Sequence, residues 1–245
     1  MTQFFSQYAE DRILSNIFKH PGICVEVGAH DGIQHSNSYY FERVGWRCIL
    51  VEPHPLSCQK IRARRSSALF ECAASDEPGS VTLHLTDEVP ELSTLQNNKA
   101  HFKRINREGG TVYEVSVPAR TLDDILTDSL IPTLDFITID VEGHELQVLR
   151  GFNIEKWRPR ILIIEDLTEG FDTLVPKYLA LRSYVPWKMT GCNIWYSHSS
   201  DSELVTAHHI SQFKRTRTFR RTKHLLPSFI STPLRRVYKL LRRSE

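Results

Sequence analysis

Short apolar runs alternate along the chain with segments whose apolar residues recur at helical spacing. Runs typical of strands cover residues 23–28, 47–52, 68–74, 80–86, 112–118, 134–139, 160–166, 185–190 and 193–198. Helices are expected near residues 36–44, 55–65 and 172–182. An amphipathic helix at the amino terminus, which packs on the sheet or covers a cofactor, is expected from the apolar residues Phe4, Phe5, Tyr8, Ile13, Leu14 and Ile17. Because alternating strands and helices favour parallel pairing, we predict an α/β domain with a mostly parallel sheet.

The first two predicted strands end in a glycine-containing turn and in an acid. Residues 24–32 read CVEVGAHDG, and residues 49–53 read ILVEP. Glycine lets the backbone approach a ligand closely because it lacks a Cβ atom, and an acid at a strand tip can accept both hydroxyl groups of a ribose. In an open parallel sheet both features lie at the ligand crevice. The pair therefore predicts a nucleoside-bearing cofactor.

Acids in this turn narrow the class of cofactor. The dinucleotide fingerprint needs a second glycine two residues after the first, whereas Gly28 is followed by Ala29 and His30. Glu26 and Asp31 would repel a diphosphate, but they suit the sulfonium and ammonium groups of S-adenosylmethionine. The alternative is a plain strand–turn–helix packing motif with a surface acid.

Length and composition fit one large globular domain in a reducing compartment. The 245 residues include five cysteines without a C-x-x-C pair, which predicts small buried thiols and argues against a zinc site. No apolar run in the sequence approaches the ~20 residues that span a bilayer, and residues 1–10 lack the features of a secretory signal. We therefore expect a cytoplasmic protein.

Acidic residues end several predicted strands or begin the turns that follow. Because the carboxyl ends of parallel strands meet at one edge of the sheet, we expect these acids to surround one crevice. Clustered buried acids indicate a bound cation, a metal or a general base. The acids are Glu26, Asp31, Glu52, Asp140, Glu142, Glu145, Glu165 and Asp166. For Glu145 and Asp166, a solvated loop residue or a helix cap is an equal alternative.

Blocks of residues in a fixed order carry a family resemblance. They are residues 6–11 (SQYAED), 25–32 (VEVGAHDG), 36–38 (SNS), 45–55 (GWRCILVEPHP), 68–79 (ALFECAASDEPG), 119–126 (ARTLDDIL) and 135–152 (DFITIDVEGHELQVLRGF). Over residues 6–198 the chain resembles the FkbM-type methyltransferases. The resemblance implies a class I methyltransferase fold, which is Rossmann-like with a seven-stranded sheet. It also implies use of S-adenosylmethionine and methylation of hydroxyl groups on sugars, polyketides or other secondary metabolites.

The resemblance implies a role for each matched position. The cofactor positions are Glu26, Gly28, Asp31, Gly32 and Asn37 around the methionine part, Glu52 at the ribose, and Ala73, Ala74 and Ser75 near adenine. Asp140 matches the acid that faces the transferring methyl group and also contacts the cofactor. Glu142, Gly143 and Glu145 complete the D-x-E-G-x-E pattern.

A base must take the proton of the acceptor hydroxyl, and three residues are candidates. They are Asp140, Glu142 and His144; the histidine has the unperturbed pKa nearest neutrality. A surface histidine on a helix is the alternative interpretation of His144. A second hypothesis is a divalent cation held by Asp140, Glu165 and Asp166, because acids at adjacent strand ends suit a hard ion.

The charge of the chain is distributed unevenly. Residues 201–245 hold eleven Lys or Arg against three acids, whereas residues 1–200 hold twenty against twenty-six. We therefore predict a methyltransferase domain over residues 1–200 and a basic helical extension over residues 201–245. An apolar stripe from Leu234 to Leu241 suggests that residues 211–245 dock on anionic lipid at the inner face of a membrane. Binding of RNA and packing on the acidic body of the same or a second subunit are the alternatives.

Together these features predict an S-adenosylmethionine-dependent O-methyltransferase whose acceptor is a carbohydrate or glycoconjugate hydroxyl, free or lipid-linked. The polar stretch 87–110 is long for a loop in a compact domain and is expected to cover the substrate. A nucleic-acid methyltransferase is the enzymatic alternative, but residues 140–143 (DVEG) lack the proline-proline-aromatic signature of many enzymes that methylate base amino groups. A non-catalytic, membrane-associated binding protein is the alternative outside catalysis.

Overall fold

A computed structural model describes residues 3–86, 93–95, 99–168, 171 and 173–225. The apolar stripe that begins at Leu234 lies outside these residues, as do parts of the predicted covering stretch at 87–92 and 96–98.

Helices and strands alternate along the chain, as the apolar pattern predicts. The helices are α1 (Glu10–Ile17), α2 (Tyr39–Arg43), α3 (Pro55–Arg64), α4 (Lys99–Arg107), α5 (Leu122–Asp128), α6 (Glu145–Arg150), α7 (Ile154–Trp157), α8 (Leu174–Ala180) and α9 (Ala207–Leu225). The strands are β1 (Ile23–Val27), β2 (Arg47–Val51), β3 (Ala68–Phe70), β4 (Ala73–Ser75), β5 (Gly79–Leu85), β6 (Tyr113–Thr121), β7 (Phe136–Ile139), β8 (Ile161–Glu165), β9 (Tyr184–Thr190) and β10 (Asn193–His198).

Seven strands form the main sheet in the order β3-β2-β1-β7-β8-β10-β9. The five strands from β3 to β8 are parallel, and β10 runs antiparallel to both β8 and β9. This confirms the predicted α/β fold with its seven-stranded, mostly parallel sheet. In the register of the sheet, Val27 lies opposite both Val51 and Ile139. The residues that follow these three strands therefore emerge at one level, where the strand order reverses and where open α/β sheets bind ligands.

The strands are apolar on both faces because helices cover both faces of the sheet. Val25 and Ile137 belong to a core that also contains side chains of α5, α6 and α8. Their sequence neighbours Cys24 and Phe136 belong to the opposite core, which contains side chains of α1 and α2. Since neighbouring residues of a strand point to opposite faces, a strand covered on both sides reads as a continuous apolar run.

The predicted strand at residues 68–74 is two strands that belong to different sheets. β3 pairs with β2, whereas β4 pairs with β6 in a second sheet of order β4-β6-β5. β3 and β4 are each only three residues long, so a single short apolar run in the sequence holds two strands that pair with different partners. The second sheet stands beside the carboxyl ends of the main strands and buries its own small core, with Leu83 and Val117 at its centre.

Two further predictions are corrected by the structure. The amino-terminal helix begins only at Glu10, and Phe4 and Phe5 lie before it with their rings 4.9 and 4.6 Å from those of Tyr40 and Tyr39. The stretch 87–110 is not a continuous loop, because α4 occupies residues 99–107. Phe4 and Phe5 therefore contact aromatic rings of α2 instead of extending the first helix, and a short helix interrupts the predicted loop.

The first part of the basic extension packs on the domain. Leu204 and Phe213 are buried in the two main cores, and α9 lies against the edge strand β9. Arg160 also forms ion pairs with Asp201 and Glu203 in the segment before α9. Across the part of the chain that the structure describes, no helix is both long and apolar enough to cross a bilayer.

Candidate active site

A cavity of about 430 Å³ lies at the carboxyl ends of the central strands. This volume falls within the roughly 300–1,000 Å³ of small-molecule sites. The predicted site residues that line the cavity are Glu26, Gly28, Asn37, Glu52, Ala73, Ala74, Asp140, Glu142 and Glu165. The structure therefore brings together, in one concave site, residues that are up to 139 positions apart in sequence.

Gly28 allows three strands to end against one another. A Cβ atom at this position would lie 1.8 Å from the carbonyl oxygen of Asp140. The residue has a φ of 83°, and its N–H group donates to the carbonyl of Val51 at 2.9 Å. Glycine meets both demands because it has no Cβ atom and tolerates positive φ.

Glu26 is a buried carboxylate that several donors hold in place. Its Oε2 atom accepts hydrogen bonds from the hydroxyls of Ser36 at 2.7 Å and Ser38 at 2.5 Å. Its Oε1 atom accepts one from the N–H group of Asn37 at 2.6 Å. The side-chain Oδ1 atom of Asn37 is buried and finds no hydrogen-bond partner among the described residues. A carboxylate beside such an acceptor suits a ligand ammonium group, which offers only donors.

A buried arginine holds the 32–38 segment from behind. The Arg65 guanidinium donates to the carbonyl of Gly32 at 2.5 Å and to the hydroxyl of Ser38 at 3.0 Å, and it pairs with Glu42 at 2.8 Å. Its side chain has no exposed surface. The sequence analysis missed Arg65, since a charged residue at the end of a helix normally faces solvent.

Glu52 closes β2 at the cavity wall and is only 6% exposed. Its two oxygens accept hydrogen bonds of 2.8 Å from the N–H groups of His30 and His54. Burial raises the pKa of Glu52 to about 7, and the two backbone hydrogen bonds oppose that rise. Each carboxylate oxygen has further lone pairs, so Glu52 can accept two neighbouring hydroxyl groups of a ligand.

Asp140, Glu142 and Glu165 form an acidic cluster whose oxygens lie within 4.8 Å of one another. Asp140 opens into the cavity, but the surrounding protein desolvates its carboxylate and raises its pKa. A hydrogen bond with Glu165 opposes this rise in pKa, and the charge of Glu26 adds to the rise. Burial, followed by the charge of Asp140, raises the pKa of Glu165 still further. The two carboxyls therefore share one proton.

The described wall of the cavity does not include Asp31, Glu145 or Asp166. Each of these acids instead accepts a hydrogen bond of 2.8 or 2.9 Å from a backbone N–H group two residues away in its own turn. Neither acid caps a helix among the described residues: Glu145 is the first residue of α6 and accepts from an N–H group before it, and Asp166 accepts within a turn after which the next described helix begins at Leu174. The predicted acids that do converge on the cavity are Glu26, Glu52, Asp140, Glu142 and Glu165.

Gly32, Ser75 and His144 also lie outside the described wall. The Oγ atom of Ser75 and the Nε2 atom of His144 share a hydrogen bond of 3.1 Å, and burial lowers the pKa of that histidine. A Cβ atom at Gly32 would crowd the side chains of Ile61 and Arg65. These three residues support the turns beneath the cavity, and their direct contact with a ligand stays a prediction.

The acidic cluster changes the predicted set of metal ligands. The structure places Glu142, rather than Asp166, beside Asp140 and Glu165. Carboxylate oxygens suit a hard divalent ion, but nothing in the described residues beyond this cluster supports one.

The amino-terminal segment, expected to pack on the sheet or to cover a cofactor, contributes two residues to the cavity wall that were not predicted as site residues. Gln7 and Tyr8 line the cavity. The fully buried Glu10 accepts hydrogen bonds from the backbone of Tyr8 at 2.8 Å, from Thr190 at 2.6 Å and from Asn193 at 3.0 Å. The block at residues 6–11 was the available signal: it ties the amino terminus to β9 and β10.

Cys192, between β9 and β10, and residues 93–95 also line the cavity. The Cys192 sulfur lies 3.8 Å from the Tyr8 hydroxyl and 3.5 Å from the Oε1 atom of Glu165. Thr94 donates to the carbonyl oxygen of Glu142 at 2.8 Å. Together with Glu108, residues 93–95 bring part of the stretch 87–110 to the cavity.

Comparisons with known proteins point to one family. Residues 26–186 match the Methyltransferase FkbM domain. Methyltransferase sdnD of Sordaria araneosa is 27% identical over 184 residues, covering 63% of this chain and 68% of that protein. The 2-O-methyltransferase NoeI of Sinorhizobium fredii (strain NBRC 101917 / NGR234) is 23% identical over 176 residues, covering 65% of this chain and 70% of that protein.

Solved structures also match, among them the PH0226 protein from Pyrococcus horikoshii OT3. It matches 83% of this chain and 80% of its own with 11% identity and a TM-score of 0.30, a likeness too weak to carry an argument. The family match, by contrast, runs from the end of β1 through the acidic turn after β7 and into β9. This chain therefore belongs to the FkbM methyltransferase family.

Proposed function

We propose that this protein is an S-adenosylmethionine-dependent O-methyltransferase that acts on a hydroxyl group of a carbohydrate or glycoconjugate. The observation that carries the proposal is the acidic cavity at the ends of three neighbouring strands, with Glu26, Glu52 and Asp140 in its wall. Membership of the family supports methyl transfer. The relative NoeI is named a 2-O-methyltransferase, which supports oxygen as the acceptor atom.

The residues of the cavity fit S-adenosylmethionine chemically. Glu52 can accept the two ribose hydroxyls, and Glu26 with the Asn37 Oδ1 atom can accept the ammonium group. Ala73 and Ala74 offer an apolar wall without polar side-chain atoms for adenine. The negative charge of the wall also favours a sulfonium and disfavours a phosphate.

Asp140 is the group best placed to take the proton of the acceptor hydroxyl. When bound, S-adenosylmethionine supplies a methyl group on a good leaving group, so positioning provides much of the acceleration. Asp140 and Glu165 are joined by a hydrogen bond and share one proton, so the pair keeps one negative charge and can accept a second proton. The raised pKa of Asp140 makes it a better base near neutral pH. Glu142 is the neighbouring candidate, whereas His144 is bonded to Ser75 outside the described wall.

Calorimetric titration with S-adenosylmethionine and its demethylated product tests the cofactor site. The wild type is expected to bind in the micromolar range, roughly −8 kcal/mol. Glu52→Gln keeps the volume of the side chain but loses its charge, so we expect binding weaker by about tenfold or more. The matched control is Glu71→Gln, because Glu71 is exposed and pairs only across the surface with Arg62. This control should bind like the wild type.

Two outcomes would overturn the proposal. One is a folded wild type that binds neither compound. The other is a Glu52→Gln variant that binds as tightly as Glu71→Gln does, since the acid would then not contact the cofactor. If binding behaves as expected, transfer of a radiolabelled methyl group to sugars, glycolipids and nucleic acids separates the carbohydrate proposal from the nucleic-acid alternative.

Removal of metal tests the acidic cluster separately. A base mechanism through Asp140 predicts that dialysis against EDTA leaves the rate of methyl transfer unchanged. Loss of activity that Mg²⁺ restores would instead assign Asp140, Glu142 and Glu165 to a cation.

A further inference from the structure

One face of helix α9 changes from apolar to basic along its length. Phe213 is 4% exposed and belongs to the core of the domain. Residues 217, 220 and 221 follow at four, seven and eight positions, which places them on the same face of the helix. All three are arginines and are half-buried, whereas Lys214 and Arg215 are exposed. The face that packs on the domain therefore continues as arginine rather than as apolar side chains.

The end of this face lies beside the mouth of the cavity. The Arg221 guanidinium stands 5.1 Å above the ring of Phe171. Leu167, four residues before Phe171, lines the cavity and is 42% exposed. Arg220 lies close to Tyr8, another lining residue: burial and then Cys192 raise the pKa of the Tyr8 hydroxyl, and the charge of Arg220 opposes that rise. We call Arg220 and Arg221 the arginine rim.

The cavity is consequently basic at the rim and acidic inside. The Cys192 sulfur touches both the Tyr8 hydroxyl at the rim and the Glu165 carboxyl of the acidic cluster. The Tyr8 and Cys192 side chains thus lie between Arg220 and the acidic cluster. An acceptor that carries an anionic group would place that group at the rim and a neutral hydroxyl toward Asp140. The reversed orientation would bring the anion against carboxylates, which repel it.

We propose that the arginine rim binds a phosphate or sulfate group of the acceptor and so selects a phosphorylated or sulfated glycoside. This inference rests on the proposed function, because it assigns the acceptor of the same cavity. Guanidinium groups match the oxygens of such anions through paired hydrogen bonds. Helix α9 adds to the effect, because its 19 residues include six lysines or arginines and no aspartate or glutamate.

Calorimetric titration with inorganic pyrophosphate tests the rim directly, with the protein saturated by the demethylated cofactor product. The test variant is Arg220→Gln/Arg221→Gln. The matched control is Lys214→Gln/Arg215→Gln, which removes the same charge from exposed positions of the same helix. We expect the rim variant to bind pyrophosphate at least about tenfold more weakly than the wild type, and the control to stay within about twofold.

Three outcomes would overturn the inference: no pyrophosphate binding by the wild type, equal loss in both variants, or no loss in the rim variant. Titration of each variant with the cofactor product alone keeps the two proposals distinguishable. A wild type that does not bind the cofactor product contradicts the proposed function. A rim variant that binds both the cofactor product and pyrophosphate as the wild type does contradicts only the role of the rim.

Vesicle flotation distinguishes two sources of the phosphate group. The same variants are tested on vesicles of phosphatidylglycerol and phosphatidylcholine. If the rim variant floats less with the vesicles than the control does, the phosphate belongs to a lipid surface. If both variants float equally but the rim variant has lost pyrophosphate binding, the phosphate belongs to a free acceptor.

Discussion

The buried carboxyl of Glu52 makes the stability of the protein depend on pH. Its pKa is raised from 4.5 to about 7 in the folded chain, with burial as the main cause. At about 1.4 kcal/mol for each tenfold change in proton affinity, this corresponds to roughly 3 kcal/mol. Below pH 4.5 the carboxyl is protonated in both the folded and the unfolded chain. As pH rises toward 7 the unfolded chain loses its proton first, so the free energy of unfolding falls.

Glu52→Gln removes this dependence without changing the volume of the side chain. Glutamine has one acceptor oxygen, so it satisfies only one of the N–H groups of His30 and His54 and costs about 1–3 kcal/mol at every pH. The informative quantity is therefore the slope of the free energy of unfolding against pH. Between pH 4.5 and about 7 the wild type should lose roughly 3 kcal/mol more than the variant. Glu145, whose pKa burial also raises to about 7, contributes equally to both proteins and cancels.

Urea unfolding followed by the fluorescence of the four tryptophans measures these free energies at each pH. Glu71→Gln, which changes an exposed acid, is the control and should follow the wild type. Curves for wild type and Glu52→Gln that run parallel from pH 4.5 to about 7 would refute the reasoning, because a desolvated carboxyl cannot titrate as it does in water.

Four further predictions follow from the site. Cofactor affinity of the wild type should fall as pH drops below about 7, where Glu52 gains its proton; a flat profile in calorimetry would contradict this. Gly28→Ala should lower the free energy of unfolding by more than about 3 kcal/mol, because the added Cβ atom would meet the carbonyl oxygen of Asp140. Gly45→Ala is the control: it has the same positive φ but no neighbour within 4 Å, and it should cost about 1–2 kcal/mol. Equal shifts of the thermal midpoint in the two variants would exclude the steric argument. Asp140→Asn should lower kcat by about 100-fold or more at saturating cofactor, and a change below about threefold would remove Asp140 as the base. Arg65→Lys should lower the free energy of unfolding in urea by about 3 kcal/mol and weaken cofactor binding. Arg62→Lys changes an exposed ion pair and should lower it by less than about 1 kcal/mol. Similar losses of stability in both variants would show that the burial of Arg65 is unimportant.

Strands covered on both faces were the easiest part of the fold to predict. The expected ranges 23–28 and 47–52 agree with β1 at Ile23–Val27 and β2 at Arg47–Val51. Their apolar runs reflect burial on both faces, which is a property of each residue and its immediate neighbours. The run at 68–74 was misjudged because its two halves pair with different sheets, and pairing is not a local property.

Among the acids, sequence position did not separate those of the cavity from those of the turns. Glu26 and Asp31 belong to the same block, yet Glu26 lines the cavity and Asp31 accepts hydrogen bonds from its own turn. The difference depends on which backbone N–H groups the fold brings within reach of each carboxylate. Arg65 was missed for a related reason, because its inward position depends on Glu42, 23 residues earlier in the chain.

The class of fold, the strand ends that carry Gly28 and Glu52, and the acidic character of the site could be predicted, because they follow from residues a few positions apart. Which groups enclose the cavity became visible only in the folded chain. Tyr8 and Cys192 are separated by 184 positions and lie 3.8 Å apart, and the charge of Arg220 in α9 acts on the same Tyr8 hydroxyl. Such contacts depend on the packing of distant segments on one sheet, a property that no short stretch of sequence contains.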